Sequence, residues 1–182
     1  MSKMSFHSKM PINIALIKYI GKVKPSKYGL NQALHPCLSY TLQDLYTEVA
    51  LHYAPEHSQD VLLMHPKAPK LAHKDRVRFV DHLAFVKEYM QFDGYFTIDS
   101  FNNFPFSAGL ASSASSFAAL TDCAVNAIES IHNTSASDKL TTLEKAQLSR
   151  FGSGSACRSF FGPFCTWDGD DIAERSLSLI HI

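Results

Sequence analysis

Three short stretches of the chain carry residue types that hold anions. The first, residues 103–115, reads NFPFSAGLASSAS and sets a small-residue turn directly against a helical apolar pattern. Gly109 allows close backbone approach there, and the first amides of a helix have no partner inside it. Those amides and the positive end of the helix dipole suit nucleotide phosphates, and Ser112 and Ser113 add hydroxyls able to reach phosphate or Mg²⁺. The second stretch is GSGSACRS, Gly152 to Ser159. Its compact backbone donors and hydroxyls, with the planar fork of Arg158, suit a carboxylate or a diphosphate. The third is NIALIKYIGK, Asn13 to Lys22. It places Lys18 at the end of an apolar strand and follows it with Tyr19, a glycine and Lys22. Each stretch taken alone also has a plainer reading, respectively helix packing, a flexible surface loop and solvated lysines.

Other chemistries lack their signatures. No GK[ST] follows the first turn and no GxGxxG is present, so neither a Walker loop nor a dinucleotide fingerprint is read. GSGSA does not supply the GxSxG of a nucleophile elbow. The nine histidines form no HExxH and are expected at the surface or as satisfied core residues. Cys37, Cys123, Cys157 and Cys165 form no CxxC pair and read as buried or partly buried free thiols in a reducing cytosol.

The elements that must position these groups follow from periodicity. Residues 11–21 are an apolar strand, and residues 38–42 and 47–53 are two further strands. With residues 60–64 they are expected to form an antiparallel meander. Apolar residues at helical spacing predict a helix over residues 76–90, and alternation predicts a strand over 95–100. Ala114, Phe117, Ala118, Thr121, Ala124, Val125, Ile128 and Ile131 make one stripe of a helix running from Ser112 to about His132. A short helix over 137–150, with Ser137 as its cap, and a final strand over 164–167 complete the pattern. Strands come first and helices cluster later, an α+β order.

The 182 residues make one domain or a fragment of something larger, and 46% hydrophobic with 19% charged residues is a globular composition. Seventeen basic against seventeen acidic residues leave no broad electrostatic footprint for nucleic acid or an acidic membrane. The longest apolar stretch, residues 108–131, is too interrupted by polar side chains to span a bilayer. Residues 1–10 have no apolar secretory core and are expected as a leader to the domain of residues 11–176, in the cytoplasm. Residues 177–182, LSLIHI, continue no preceding pattern and are expected to be a non-native tail, the in-frame translation of a transposon end used in sequencing libraries.

Taken together and in this order, NIALIKYxGK, NNFPxxAGLASSAS and SRxGSGSACRS resemble the diphosphomevalonate decarboxylase family of the GHMP kinase superfamily. The likeness covers residues 11–167. The resemblance implies an α+β GHMP kinase N-terminal domain, of the kind also seen in ribosomal protein S5 domain 2, with a sheet bearing helices on one face. It implies phosphorylation by ATP of the tertiary hydroxyl of 5-diphosphomevalonate, then loss of phosphate and CO₂ to give isopentenyl diphosphate. By the same resemblance Tyr19, Ile20, Gly21, Lys22 and Arg76 contact the substrate, as do Ser153, Gly154, Ser155, Ala156 and Cys157, and Arg158 orients its carboxylate. Lys18 would neutralise charge near the reacting centre, and Asn31 matches a family asparagine. Ser107, Ala108, Gly109, Leu110, Ala111, Ser112 and Ser113 form the ATP loop, with Ser113 toward Mg²⁺. The implied partner is the small-molecule substrate, with no nucleic acid or membrane, and homodimerisation of the full-length form is left open.

Three departures from the family are visible. Ile20 stands where tryptophan is usual, Pro163 where glycine is usual, and the aspartate of a DAGPN-like stretch has no counterpart in this chain. The chain alone is therefore expected to bind poorly and not to turn over. A GHMP kinase that phosphorylates without decarboxylating, such as a mevalonate 3-kinase, and a noncatalytic α+β binding module are the competing readings.

Overall fold

The computed structural model describes residues 4–18, 21, 33–63, 73–105, 112–168 and 171–175. Six strands form one mixed sheet. β1 (Ser5–Ile17) lies antiparallel along one edge of the long β2 (Cys37–Tyr53). The other edge of β2 serves two neighbours in succession, β4 (Phe96–Asn102) against Thr47 to Tyr53 and β5 (Phe164–Asp168) against Cys37 to Tyr40. The short β3 (Val61–Leu62) pairs in parallel with β4, and β6 (Asp171–Arg175) closes a hairpin with β5.

Helices α1 (His73–Tyr89), α2 (Ser112–Ile131) and α3 (Thr142–Ser149) complete the domain, with a 3₁₀ helix over Ala156–Phe160. α2 is the centre of the fold. Thirteen of its twenty residues are buried, because it packs against β1 and β2 on one side and against α1, α3 and the 3₁₀ helix on the others. Alternation in the strands supplies the facing surface, with Val49, Leu51, Phe96 and Ile98 fully buried under α2 and α1. A second, smaller core of Cys37, Ala146, Cys157, Cys165, Trp167 and Ile172 lies under the 3₁₀ helix. The fold is thus α+β with helices against the sheet, as the resemblance implied.

Several elements differ from expectation. β1 starts at Ser5, inside the stretch read as a leader, because Phe6, Ser8 and Met10 face inward while His7 and Lys9 face out. The two strands expected over 38–42 and 47–53 are one strand, its ladder with β1 shifting where Pro11 faces Tyr46 and Ile12 faces Leu42. The meander is not wholly antiparallel, since β3 joins β4 in parallel. α3 begins after Thr141, not Ser137. Thr141 accepts from the Glu144 amide while the Glu144 carboxylate accepts from the Thr141 amide, a reciprocal cap that satisfies two orphan donors. Ser137 instead donates to the neighbouring Asp138 carboxylate. The tail of residues 177–182 lies outside the described residues.

Candidate functional site

The glycine–serine loop, residues 152–158, is held from three directions. From α2, the ring of Phe117 fills the space beside Gly152, so that an added Cβ would lie 2.1 Å from Phe117 Cδ1. That ring is itself packed against Phe79 and His82, so it has little room to yield. Gly152→Ala is therefore expected to cost about 1–3 kcal/mol by overpacking, read as a Tm about 2–12 °C lower in a thermal melt of a domain this size. An unchanged Tm would show that the ring moves freely.

From β1, Asn13 Nδ2 donates to Ser159 Oγ at 2.8 Å and to the Ser155 carbonyl at 3.3 Å. From α1, Arg78 Nη2 donates to the Gly152 carbonyl at 2.8 Å. Within the loop, Ser153 and Ser155 hydroxyls lie 3.2 Å apart and half-buried, facing a common side. Ala156 and Cys157 are fully buried, and Cys157 Sγ is spent on the Gly154 carbonyl, so these two can offer a ligand only backbone. Burial pushes the Cys157 thiol up, and the Arg158 cation only partly opposes this.

Arg158 is the unusual group. It is 4% exposed, no carboxylate pairs with it among the described residues, and its Nε has no partner. Among the described residues, its side chain donates from Nη1 to Cys37 Sγ at 3.6 Å. Burial pushes the Cys37 thiol up, with Arg158 pulling the other way, so the sulfur is a neutral partner that leaves the guanidinium charge uncompensated. A buried cation without an anion is costly.

Ser112 and Ser113 begin α2, half-buried and exposed respectively, and no acidic residue occupies that first turn. A free helix N-terminus without carboxylates favours an anion. The helix is anchored beneath by Ser115, 2.7 Å from Thr47 Oγ1, which in turn donates to Asn102 Oδ1. Ser113 and Phe117 are one helical turn apart, so the start of α2 lies about 6 Å along the axis from the ring that supports Gly152. The helix terminus and the glycine–serine loop are thereby drawn into one neighbourhood.

Arg76 sits exposed on the first turn of α1, two residues before Arg78, and it is Arg78 that reaches the loop. Lys18 is exposed just past β1, five residues beyond Asn13 and about 17 Å further along an extended chain. Gly21 has φ 84°, the left-handed conformation for which glycine is suited. Tyr19, Ile20, Lys22 and Asn31 lie outside the described residues, as do Ser107, Ala108, Gly109, Leu110 and Ala111.

Asn13 and Arg78 were not among the expected site residues. A buried asparagine inside an apolar strand run was the available signal for Asn13, whereas nothing local to Arg78 marks its contact with a loop 74 residues away. The free-thiol reading holds for all four cysteines. Among the histidines, His82 is buried yet only half satisfied, as its Nδ1 has no partner.

Fold and site together define an α+β domain in which the start of one helix and a buried arginine lie near one glycine–serine loop. The chain belongs to the diphosphomevalonate decarboxylase-like N-terminal domain family, whose profile matches residues 10–178. It is 35% identical to the diphosphomevalonate decarboxylase of Saccharomyces cerevisiae over 87% of this chain and 40% of that protein. A crystal structure of a mevalonate diphosphate decarboxylase from Legionella pneumophila superposes with a TM-score of 0.84 at 45% identity, over 96% of this chain and 54% of that one. A complex of MDDEF with MVAPP, AMPPCP and magnesium superposes with a TM-score of 0.79 at 30% identity, over 97% of this chain and 52% of that one. The chain thus spans about two fifths to one half of the length of such relatives. No helix among the described residues is long and apolar enough to cross a membrane.

Proposed function

We propose that the chain supplies the substrate-diphosphate and nucleotide-phosphate loops of an ATP- and Mg²⁺-dependent diphosphomevalonate decarboxylase of the mevalonate route to isoprenoids. The observation that carries this reading is Arg158, a buried guanidinium with no carboxylate partner among the described residues, beside a glycine–serine loop in a chain of this family. Its fork would take the substrate carboxylate and hold it for loss as CO₂. Ser153 and Ser155, with the backbone of Gly154, Ala156 and Cys157, would hold the diphosphate, joined by Tyr19, Ile20, Gly21, Lys22 and Arg76. Lys18 would offset negative charge near the reacting carbon.

The start of α2 fits a nucleotide phosphate, being free of carboxylates and bearing two hydroxyls. Ser107, Ala108, Gly109, Leu110, Ala111, Ser112 and Ser113 would receive it, with Ser113 offering its oxygen to Mg²⁺. When bound, MgATP would supply the phosphoryl group that makes the tertiary hydroxyl a leaving group. The residues described here act by positioning and by charge.

Calorimetric titration of this chain with 5-diphosphomevalonate and with MgATP tests the binding half of the proposal. Weak binding of both, with no release of ADP or CO₂, is expected of the chain alone. A longer form that also matches the remainder of the relatives should release CO₂ and ADP in equal amounts. ADP without CO₂ would make it a kinase, and binding of neither ligand would make it a noncatalytic module. Ser113→Ala is expected to weaken MgATP binding by roughly 10- to 150-fold, the worth of one hydrogen bond to a charged group, while leaving diphosphomevalonate binding within about twofold. An effect confined to diphosphomevalonate would reassign the serine.

A further inference from the structure

We propose that Arg78 is a positioning residue, an arm from α1 that latches the Gly152 peptide and so sets how well the loop binds a diphosphate. The functional half of this inference rests on reading the loop as a diphosphate site.

The loop lacks an anchor of its own at its first residue. Gly152 has no side chain, and the space where one would lie is occupied by Phe117. The neighbouring backbone bonds are local: the Ser153 amide donates to the Ser149 carbonyl, the Ala156 amide to Ser153 and the Arg158 amide to Ser155. The Gly152 carbonyl receives instead the Nη2 of Arg78 at 2.8 Å, a charge-assisted bond from an element 74 residues earlier. The same guanidinium lies 5.3 Å from the centroid of the Phe117 ring, so ring, peptide and cation form one stack of contacts. Asp75 Oδ1, one turn back on α1, is 3.8 Å from Nη1 and steers the group toward the loop.

The Arg78 side chain is 54% exposed, which separates its role from that of a core residue. A half-exposed arginine contributes little to global stability, yet its one strong bond falls on the peptide that opens the site. Loosening that peptide frees Ser153 and Ser155 to leave their shared side. The preorganisation that a multiply charged anion needs is then lost.

The experiment compares the wild-type chain with Arg78→Met and Arg78→Lys. Amide hydrogen exchange reads the loop, calorimetry with inorganic diphosphate reads the site, and a thermal melt reads the whole domain. In R78M, protection of the Ala156 and Arg158 amides should fall about tenfold and the diphosphate Kd should rise by roughly 5- to 30-fold. Tm should shift by less than about 3 °C, in line with a surface-exposed pair. R78K, which keeps the charge and part of the reach, should recover much of both losses. It also provides the comparison where R78M folds poorly.

Unchanged loop protection in R78M overturns the latch, even where affinity falls, because the effect is then charge acting through space. A loosened loop with wild-type affinity overturns the link to binding. Failure of the wild-type chain itself to bind diphosphate overturns the reading of the loop as a diphosphate site. That failure is visible before any variant is made, and the exchange comparison still decides the latch.

Discussion

Arg158→Met should move stability and affinity in opposite directions. The guanidinium is 4% exposed, has no carboxylate partner among the described residues and rests on a neutral thiol. Replacing a buried charge by an apolar chain of similar length removes a desolvation cost that no carboxylate among the described residues offsets, a gain of about 1–4 kcal/mol. The same change deprives a bound carboxylate of its partner, a loss of about 2–5 kcal/mol, or roughly 30- to several-thousand-fold in Kd. A ligand-free melt should therefore show a higher Tm, and calorimetry with 5-diphosphomevalonate should show little or no binding. A lower Tm with intact binding would mean that Arg158 is structural. This opposition is the expected signature of a group kept for a ligand and not for the fold.

Acid should weaken the domain through His82. Its Nε2 lies 2.7 Å from Thr121 Oγ1, whose own proton goes to the Phe117 carbonyl, so Nε2 carries the ring proton and Nδ1 is bare. Nδ1 is buried without a partner, and the ring stands among Phe85, Phe117 and Phe151. Burial lowers its pKa to about 3 from the ordinary 6.5. The unfolded chain takes up this proton as pH falls through about 6.5, while the folded chain refuses it until about pH 3. Stability from this group is thus complete above about pH 7 and falls through the acid range by about 1.4 kcal/mol per unit. Between pH 7.5 and 4.5 the loss should be about 2–3 kcal/mol, measured by urea denaturation. His82→Leu should flatten the curve by that amount. Parallel pH curves for the two proteins would show that the buried ring accepts its proton readily.

Local patterns were readable in the sequence and long-range ones were not. The stripe from Ala114 to Ile131 gave α2 almost to the residue, since its period is set by the helix itself. The three small-residue and lysine-bearing stretches stood out equally plainly, because each is contiguous. The polar residues Gln43 and Asp44 looked like the end of a strand, but the ladder with β1 resumes beyond them and keeps β2 whole. Thr141 and Glu144 carried a complete capping box that a serine four residues earlier obscured. Asn13, Arg78 and the bare nitrogen of His82 owe their meaning to partners 146, 74 and 39 residues away. No window short enough to show a period could include them.

The shift in the β1–β2 ladder has a consequence for how this domain tolerates change. On one side of it the strands support the helices α1 and α2, and on the other the small core beneath Arg158. Because three residues of β2 are already unmatched between Leu42 and Tyr46, the joint acts as a splice, where chain can be gained or lost without rotating either half's apolar face into water. The helix-bearing half and the half over the small core can therefore drift in sequence length independently, while remaining sewn to a single uninterrupted backbone.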